Sequence, residues 1–125
     1  MGKRSAVRRL DNNQASAKLS ALRTSPRKLG LVASLIQGMK ASDALVQLQF
    51  NRKRIAVSVK DLLKAAIANA ENNHGLNIDN LVVSEVRVGR AFVMKRFHAR
   101  ARGRAGRIEK PFSNLEIIVT QKEEE

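Results

Sequence analysis

A chain of 125 residues without a single cysteine has no disulfide framework and no thiolate metal site, and its length suits one domain. Its 24 Lys and Arg against 11 Asp and Glu leave a formal charge of +13 and a pI near 11.3, which points to a polyanionic partner, nucleic acid before any other. A hydrophobic fraction of 43% argues against disorder throughout, the apolar runs are too short to span a bilayer, and four Phe with no Tyr or Trp leave the core to Leu, Ile, Val and Ala.

Residues 1–13 are polar and basic, with no period and no apolar segment of the kind a secretory signal needs. They read as a flexible arm in which Lys3, Arg4, Arg8 and Arg9 are candidate phosphate ligands. Residues 14–23 then alternate, with Ala15, Ala17, Leu19 and Ala21 on one face and Ser16, Lys18 and Ser20 on the other. That pattern predicts a half-buried strand, with Lys18 a ligand candidate on its polar side.

Thr24-Ser25-Pro26 predicts a helix start, a hydroxyl cap followed by proline at the first helical position. Leu29, Val32, Ala33 and Ile36 form its apolar stripe and Gly38 stops it. Arg27 and Lys28 sit in the first turn, where the helix macrodipole disfavours cations, so a nearby phosphate would relieve them. Ser42 and Asp43 predict the cap of a short second helix with Ala44, Leu45 and Leu48 inward. Asn51 is the expected cap of a third helix over 52–72, with Ile55, Val59, Leu62, Leu63, Ala66 and Ala70 as its stripe and Gly75 as its left-handed terminator.

Two further strands are expected, 81–88 with Val82, Val86 and Val88 on one face, and 115–120 with Leu115, Ile117 and Val119 inward. Between them residues 87–110 hold nine Lys or Arg among 24 residues, with Glu109 the only acid. Since one strand runs into this stretch and the other out of it, the simplest geometry is a hairpin that continues past the core as a ribbon turning near 98–103. Each arm of about ten residues would project on the order of 30 Å. A two-stranded ribbon alone in water is marginal, so its order has to come from a partner. The chain closes on an acidic tail, residues 122–125.

Catalytic signals are thin. His74 reads as a solvated helix-end side chain, and His98, among arginines, suits stacking or hydrogen bonding to nucleic acid better than base catalysis. Two distant histidines make no metal site. The glycines at 103 and 106 lack the Lys-Ser/Thr of a phosphate-binding loop. Phe92, Met94 and Phe97 are expected to pack together and stiffen the ribbon, contact with bases being the alternative. Lys95, Arg96, Arg100, Arg102 and Arg104 suit RNA, arginine especially, since its fork binds phosphate and its plane stacks on bases.

The segments Ser25-Pro26-Arg27-Lys28-Leu29, Leu35-Ile36-Gln37-Gly38, Ala66-Ile67-Ala68-Asn69-Ala70-Glu71-Asn72-Asn73, Met94-Lys95-Arg96, Ala101-Arg102-Gly103-Arg104-Ala105 and Arg107-Ile108-Glu109-Lys110, in that order and spacing, resemble the bacterial-type large-subunit ribosomal protein L22 family (universal name uL22). The likeness runs over about 14–120. One departure is Ser113-Asn114, where the family often has Ser-His. The resemblance implies an α+β domain over 14–121, three helices packed on a small three-stranded antiparallel sheet, with a long protruding basic β-hairpin at 86–112. It also implies a structural role in the 50S subunit of a cytoplasmic ribosome, an organelle matrix being the other setting, with no catalysis, cofactor or metal. The partners implied are 23S rRNA, neighbouring large-subunit proteins and, at the hairpin tip, the nascent polypeptide in its exit tunnel, with the macrolide site nearby. Carried onto this chain, Met94, Lys95, Arg96, Ala99, Arg100, Ala101, Arg102, Gly103 and Arg104 lie at or near the tunnel wall, and Arg90, Arg107 and Lys110 along the rRNA-clasping arms. Two other readings stand beside this one: an architectural DNA-binding protein with a basic ribbon, against which the arginine and alanine tip speaks because such ribbons usually carry an apolar wedge, and, more remotely, an RNA-modifying enzyme.

Overall fold

The computed structural model describes residue 2 and residues 4–122; Lys3 and the last three glutamates of the tail lie outside the described residues. The element order is β1 (Gln14–Leu22), α1 (Pro26–Ile36), α2 (Ala41–Gln49), α3 (Ile55–His74), β2 (Leu81–Ala99) and β3 (Ala105–Gln121), with short 3-10 turns at Ile78–Asn80 and Ala101–Gly103. The sheet is antiparallel in the order β1-β3-β2, so the last strand lies in the middle.

Local chemistry sets the helix ends. Ser25 caps α1, its side chain accepting from the Lys28 amide, and Pro26 occupies the first turn, where its missing N–H costs nothing. Leu29, Val32, Ala33 and Ile36 are all buried, as the period predicts. Helix α2 begins at Ala41, ahead of the cap expected at Ser42 and Asp43. Its cap position is Lys40, whose ammonium has no acceptor to offer the first amides and whose backbone bridges to Val82, leaving Ser42 and Asp43 in the first turn. Asn51 does not cap α3 either. Its Oδ1 accepts from Lys53, which makes a turn ahead of the helix, and the first fully buried residue is Ala56, with Ile55 half-buried beside it. The other end is as expected: Gly75 takes φ 61°, a left-handed conformation open to glycine without steric cost, and its amide donates to Glu71 while that of Leu76 donates to Ala70.

The core lies between the three helices and one sheet face. It is made of Ala15 and Ala17 of β1, Leu81 and Val83 of β2, and Leu115, Ile117 and Val119 of β3 against the stripes of the helices. No aromatic enters it. Two bulges decide which strand residues face inward. At Ala21 the chain takes φ 58° and the β1–β3 register shifts between Leu19 and Leu22, so Leu22 packs inward and Ala21 is exposed. The alternation expected of Ala21 therefore fails, and its amide is satisfied by Asn114 Oδ1 at 3.1 Å. At Ser84 the β2–β3 register shifts between Val83 and Glu85, so Leu81 and Val83 precede the bulge on the core face and Val86 and Val88 follow it there. Val82, expected to share a face with Val86 and Val88, is on the other side. The Ser84 hydroxyl donates to the Ile118 carbonyl and accepts from Thr120, which stitches the bulge in place.

The same two strands run on as the hairpin. Beyond Arg90↔Ser113 a further bulge shifts the register, and pairing continues from Phe92↔Phe112 to Ala99↔Ala105. Ser113, at the root, is fully buried and donates to the Thr24 carbonyl at 2.6 Å, tying the ribbon to the end of the β1–α1 loop. The turn spans 100–104, close to the expected position.

A two-faced basic ribbon and a groove at its root

Antiparallel register puts directly opposed residues on the same face. One face therefore carries Phe92, Met94, Arg96 and His98 with Gly106, Ile108, Lys110 and Phe112, and the other Val93, Lys95, Phe97 and Ala99 with Ala105, Arg107, Glu109 and Pro111. The contiguous trio Met94, Lys95 and Arg96 is thereby split, with Lys95 facing opposite to its neighbours. It also lies mid-arm, roughly 15–20 Å of strand from the turn.

Cations occupy both faces and the tip. Arg90, Lys95, Arg96, His98, Arg100, Arg102, Arg104, Arg107 and Lys110 are all exposed, as are Ala99, Ala101 and Gly103, whereas Met94 is half-buried. Within the ribbon, the one ion pair among the described residues joins Arg107 to Glu109 at 3.7 Å. Nearer the core, Arg87 reaches Glu85 at 2.7 Å and Glu116 at 3.8 Å. The hydrogen bond from Arg87 holds the Glu85 carboxyl below the usual carboxylate range, and the same bond raises Arg87. Lys18 lies 3.9 Å from Glu116. So the acids of the sheet gather around Arg87 and Lys18, while most of the ribbon's cations stay unneutralised.

The tip closes with the Arg100 amide donating to the Arg104 carbonyl at 2.7 Å. Arg102 and Gly103 both take positive φ, 62° and 72°. A Cβ on Gly106 would come 3.1 Å from Arg100 Nε, so glycine there lets the Arg100 side chain lie back over β3. Of the expected apolar trio, only Phe92 finds an aromatic partner, and that partner is Phe112, with ring centroids 4.5 Å apart and 17° between planes. Met94 lines a small hollow of about 180 Å³ with Arg23, Arg96, Lys110 and Phe112. Phe97 packs on neither.

A larger groove of about 1090 Å³ opens beside the root, bounded by Leu22, Arg23, Thr24, Lys28, Leu31, Lys53, Arg54, Ile55, Val57 and Ser58. Four cations and no acid line it. Lys28 was expected as a ligand; Arg23, Lys53 and Arg54 were not. They lie far apart in sequence, at the end of β1 and before α3, and only the packing of α1 beside α3 assembles them. The basic run Arg52-Lys53-Arg54 was the one local sign. Arg27 is exposed on α1 but does not line the groove. Of the N-terminal cations, Arg4 and Arg9 are exposed, and Arg8 donates to the Gln14 carbonyl, holding the arm against the start of β1. His74 is exposed at its helix end. Among the described residues no cluster of His, Asp or Glu could hold a metal, and no helix is long and apolar enough to cross a membrane.

A family profile described as "Ribosomal protein L22p/L17e" matches residues 17–120. The curated relatives include proteins named "Large ribosomal subunit protein uL22". That of Methylobacterium nodulans is 61% identical over 121 residues, covering 97% of this chain and 95% of its own. That of Methylobacterium sp. (strain 4-46) is 60% identical over the same shares. That of Rhizobium meliloti is 58% identical over 123 residues, 98% of this chain and 95% of its own. A match of this extent, on a fold with the expected sheet and helices, places the chain in the ribosomal protein L22p/L17e family, as a bacterial-type structural protein of the large ribosomal subunit in the cytoplasm and not an enzyme.

Proposed function

We propose that this protein binds 23S rRNA, aids assembly of the large subunit, and extends its hairpin between rRNA segments so that the tip lines the nascent-peptide exit tunnel. The observation that carries the reading is the ribbon with unneutralised cations on both faces. A one-sided basic patch serves a surface, whereas a two-sided one suits insertion between two polyanionic walls, each phosphate contact releasing counterions. Arg90, Lys95, Arg96, His98, Arg107 and Lys110 serve as arm ligands, and Arg100, Arg102 and Arg104 as tip ligands. Arg4, Arg9, Arg27 and Lys28 add contacts from the domain, as does Lys3. Arg8 and Lys18 contribute less, each being already engaged within the chain, and Arg107 is shared between Glu109 and the RNA.

The tunnel wall is formed at two depths in this reading, by Ala99, Ala101, Gly103 and the three tip arginines, and by Met94, Lys95 and Arg96 farther back. The nascent polypeptide passes the tip, and macrolide antibiotics bind nearby. Neighbouring large-subunit proteins meet the globular part. The groove cations Arg23, Lys53 and Arg54 belong to the same rRNA interface. The 14–121 unit acts as one rRNA-binding domain, with 1–13 as a basic arm and 122–125 as an acidic tail.

The test is co-sedimentation of the full chain with large subunits, followed by crosslinking from position 96 or 102 and mapping of the crosslinked nucleotides. Crosslinks to 23S rRNA bordering the tunnel are expected, together with preference for 23S rRNA over duplex DNA at moderate salt. Equal binding to both nucleic acids, with unaltered tunnel properties after deletion of 94–96, overturns the reading.

A further inference from the structure

Phe97 is 88% exposed, on a regular strand, in a protein whose other ribbon-strand phenylalanines stack on each other. Its cross-strand partner is Arg107, and the next positions toward the tip on its face are Ala99 and Ala105. Two methyl groups leave that side of the ring open. Toward the root, the same face offers Lys95 opposite Glu109. Arg107 is drawn to Glu109 at 3.7 Å, and the ring stays 88% exposed. A flat apolar surface, unobstructed on one side and flanked by two phosphate-binding groups, is the arrangement by which single-stranded nucleic acid is held: base on the ring, backbone on the cations.

We propose that Phe97 is a stacking platform for one unpaired RNA base, with Lys95 and Arg107 taking the phosphates on either side of it. This rests on the rRNA reading above and adds to it a contact on which affinity depends without charge. An aliphatic partner from a protein would need only an apolar side chain at 97, whereas a base needs a ring. The charge on its own face favours the base, since Lys95 and Arg107 stand there against one acid, Glu109.

The chain contains no Trp or Tyr, so Phe97→Trp introduces a single indole into the full-length protein. Titrated with a 23S rRNA transcript at fixed salt, this variant is expected to bind within a few-fold of the parent and to lose much of its indole emission through stacking. Phe97→Ala should bind about 5- to 100-fold more weakly, yet with the same dependence on salt, because no phosphate contact is lost. Phe97→Leu should resemble Phe97→Ala. Circular dichroism of each variant should match the parent, the side chain being outside the core. The proposal is overturned if Phe97→Ala binds like the parent, if leucine substitutes fully, or if the indole emission shifts blue without quenching, which marks an apolar protein pocket. If the parent itself shows no affinity for 23S rRNA, the broader reading falls with it; if the parent binds and only these results fail, the broader reading stands.

Discussion

The sheet and the ribbon are made of the same two strands, yet they are ordered by different means. Up to Val88 and from Leu115 onward, β2 and β3 are covered by three helices, and Leu81, Val83, Leu115, Ile117 and Val119 are almost wholly inaccessible. Past Arg90 no residue of β2 is buried, the third strand is gone, and the one aromatic stack lies at the root. Backbone pairing is continuous through both regions. What changes at Ser113 is what surrounds the backbone, and stability follows the surroundings.

Amide exchange on the free protein exposes that difference most sharply. Amides of Val83, Ile117 and Val119 should open only with global unfolding, at about 5–15 kcal/mol. Those over 95–105 should open locally for little cost, since an isolated two-stranded ribbon is marginal and its cations repel one another. Protection factors should differ by roughly three orders of magnitude or more. Comparable protection in both regions would mean that the ribbon holds itself together and needs no RNA to order it.

Truncation gives the next largest contrast. Leu63→Ala removes a fully buried side chain facing the sheet and should cost about 2–5 kcal/mol in urea unfolding. Val93→Ala, on the ribbon, should cost under about 0.5 kcal/mol, as a surface change does. A Val93 cost approaching that of Leu63 would join the ribbon to the cooperative core.

The division between the two regions also marks how far the sequence could be read. The stripe of α1, its Ser25 cap and the Gly75 terminator were legible because each is a contact within a few residues. The two bulges were not. One extra residue at Ala21 or Ser84 exchanges inside for outside, and the group that stabilises the first, Asn114, lies 93 positions away. Bonding the bulge amide gives that residue a structural task. The basic stretch was legible as a hairpin from the strands that flank it. Its division into two faces was not, because the bulge after Arg90 sets the parity of every residue beyond. Arg23, Lys53 and Arg54 became a group only through tertiary packing.

Backbone strain distinguishes the regions more gently. Ala21 and Arg102 both take left-handed φ without being glycine, which costs about 1–2 kcal/mol each. At Ala21, in the packed sheet, Ala21→Gly should raise stability by up to about 1 kcal/mol, reduced by the greater freedom of glycine in the unfolded chain. At Arg102, in a tip that opens locally, Arg102→Gly should leave global unfolding unchanged. The same variant should weaken RNA binding and lower its salt slope by about 0.7–0.9 if that arginine meets one phosphate.

The smallest expected effect lies at the seam, where Glu85 and Glu116 gather around Arg87. Glu85 is held below its usual range first by the Arg87 hydrogen bond, so it binds fewer protons folded than unfolded. Its contribution is therefore present above the unfolded carboxylate value and is lost as pH falls through the folded one. Both partners are well exposed, so solvent and salt screen the pair. Glu85→Gln should slightly flatten the acid limb of stability against pH, and raised salt should shrink the difference between variant and parent. An acid limb left unchanged by Glu85→Gln would mean that the Arg87 hydrogen bond does not favour the folded carboxylate over the unfolded one. In geometry, Glu85 and Glu116 neutralise Arg87 and Lys18 at the inner end of the strands, while beyond Arg90, among the described residues, Glu109 alone meets one of the ribbon's cations.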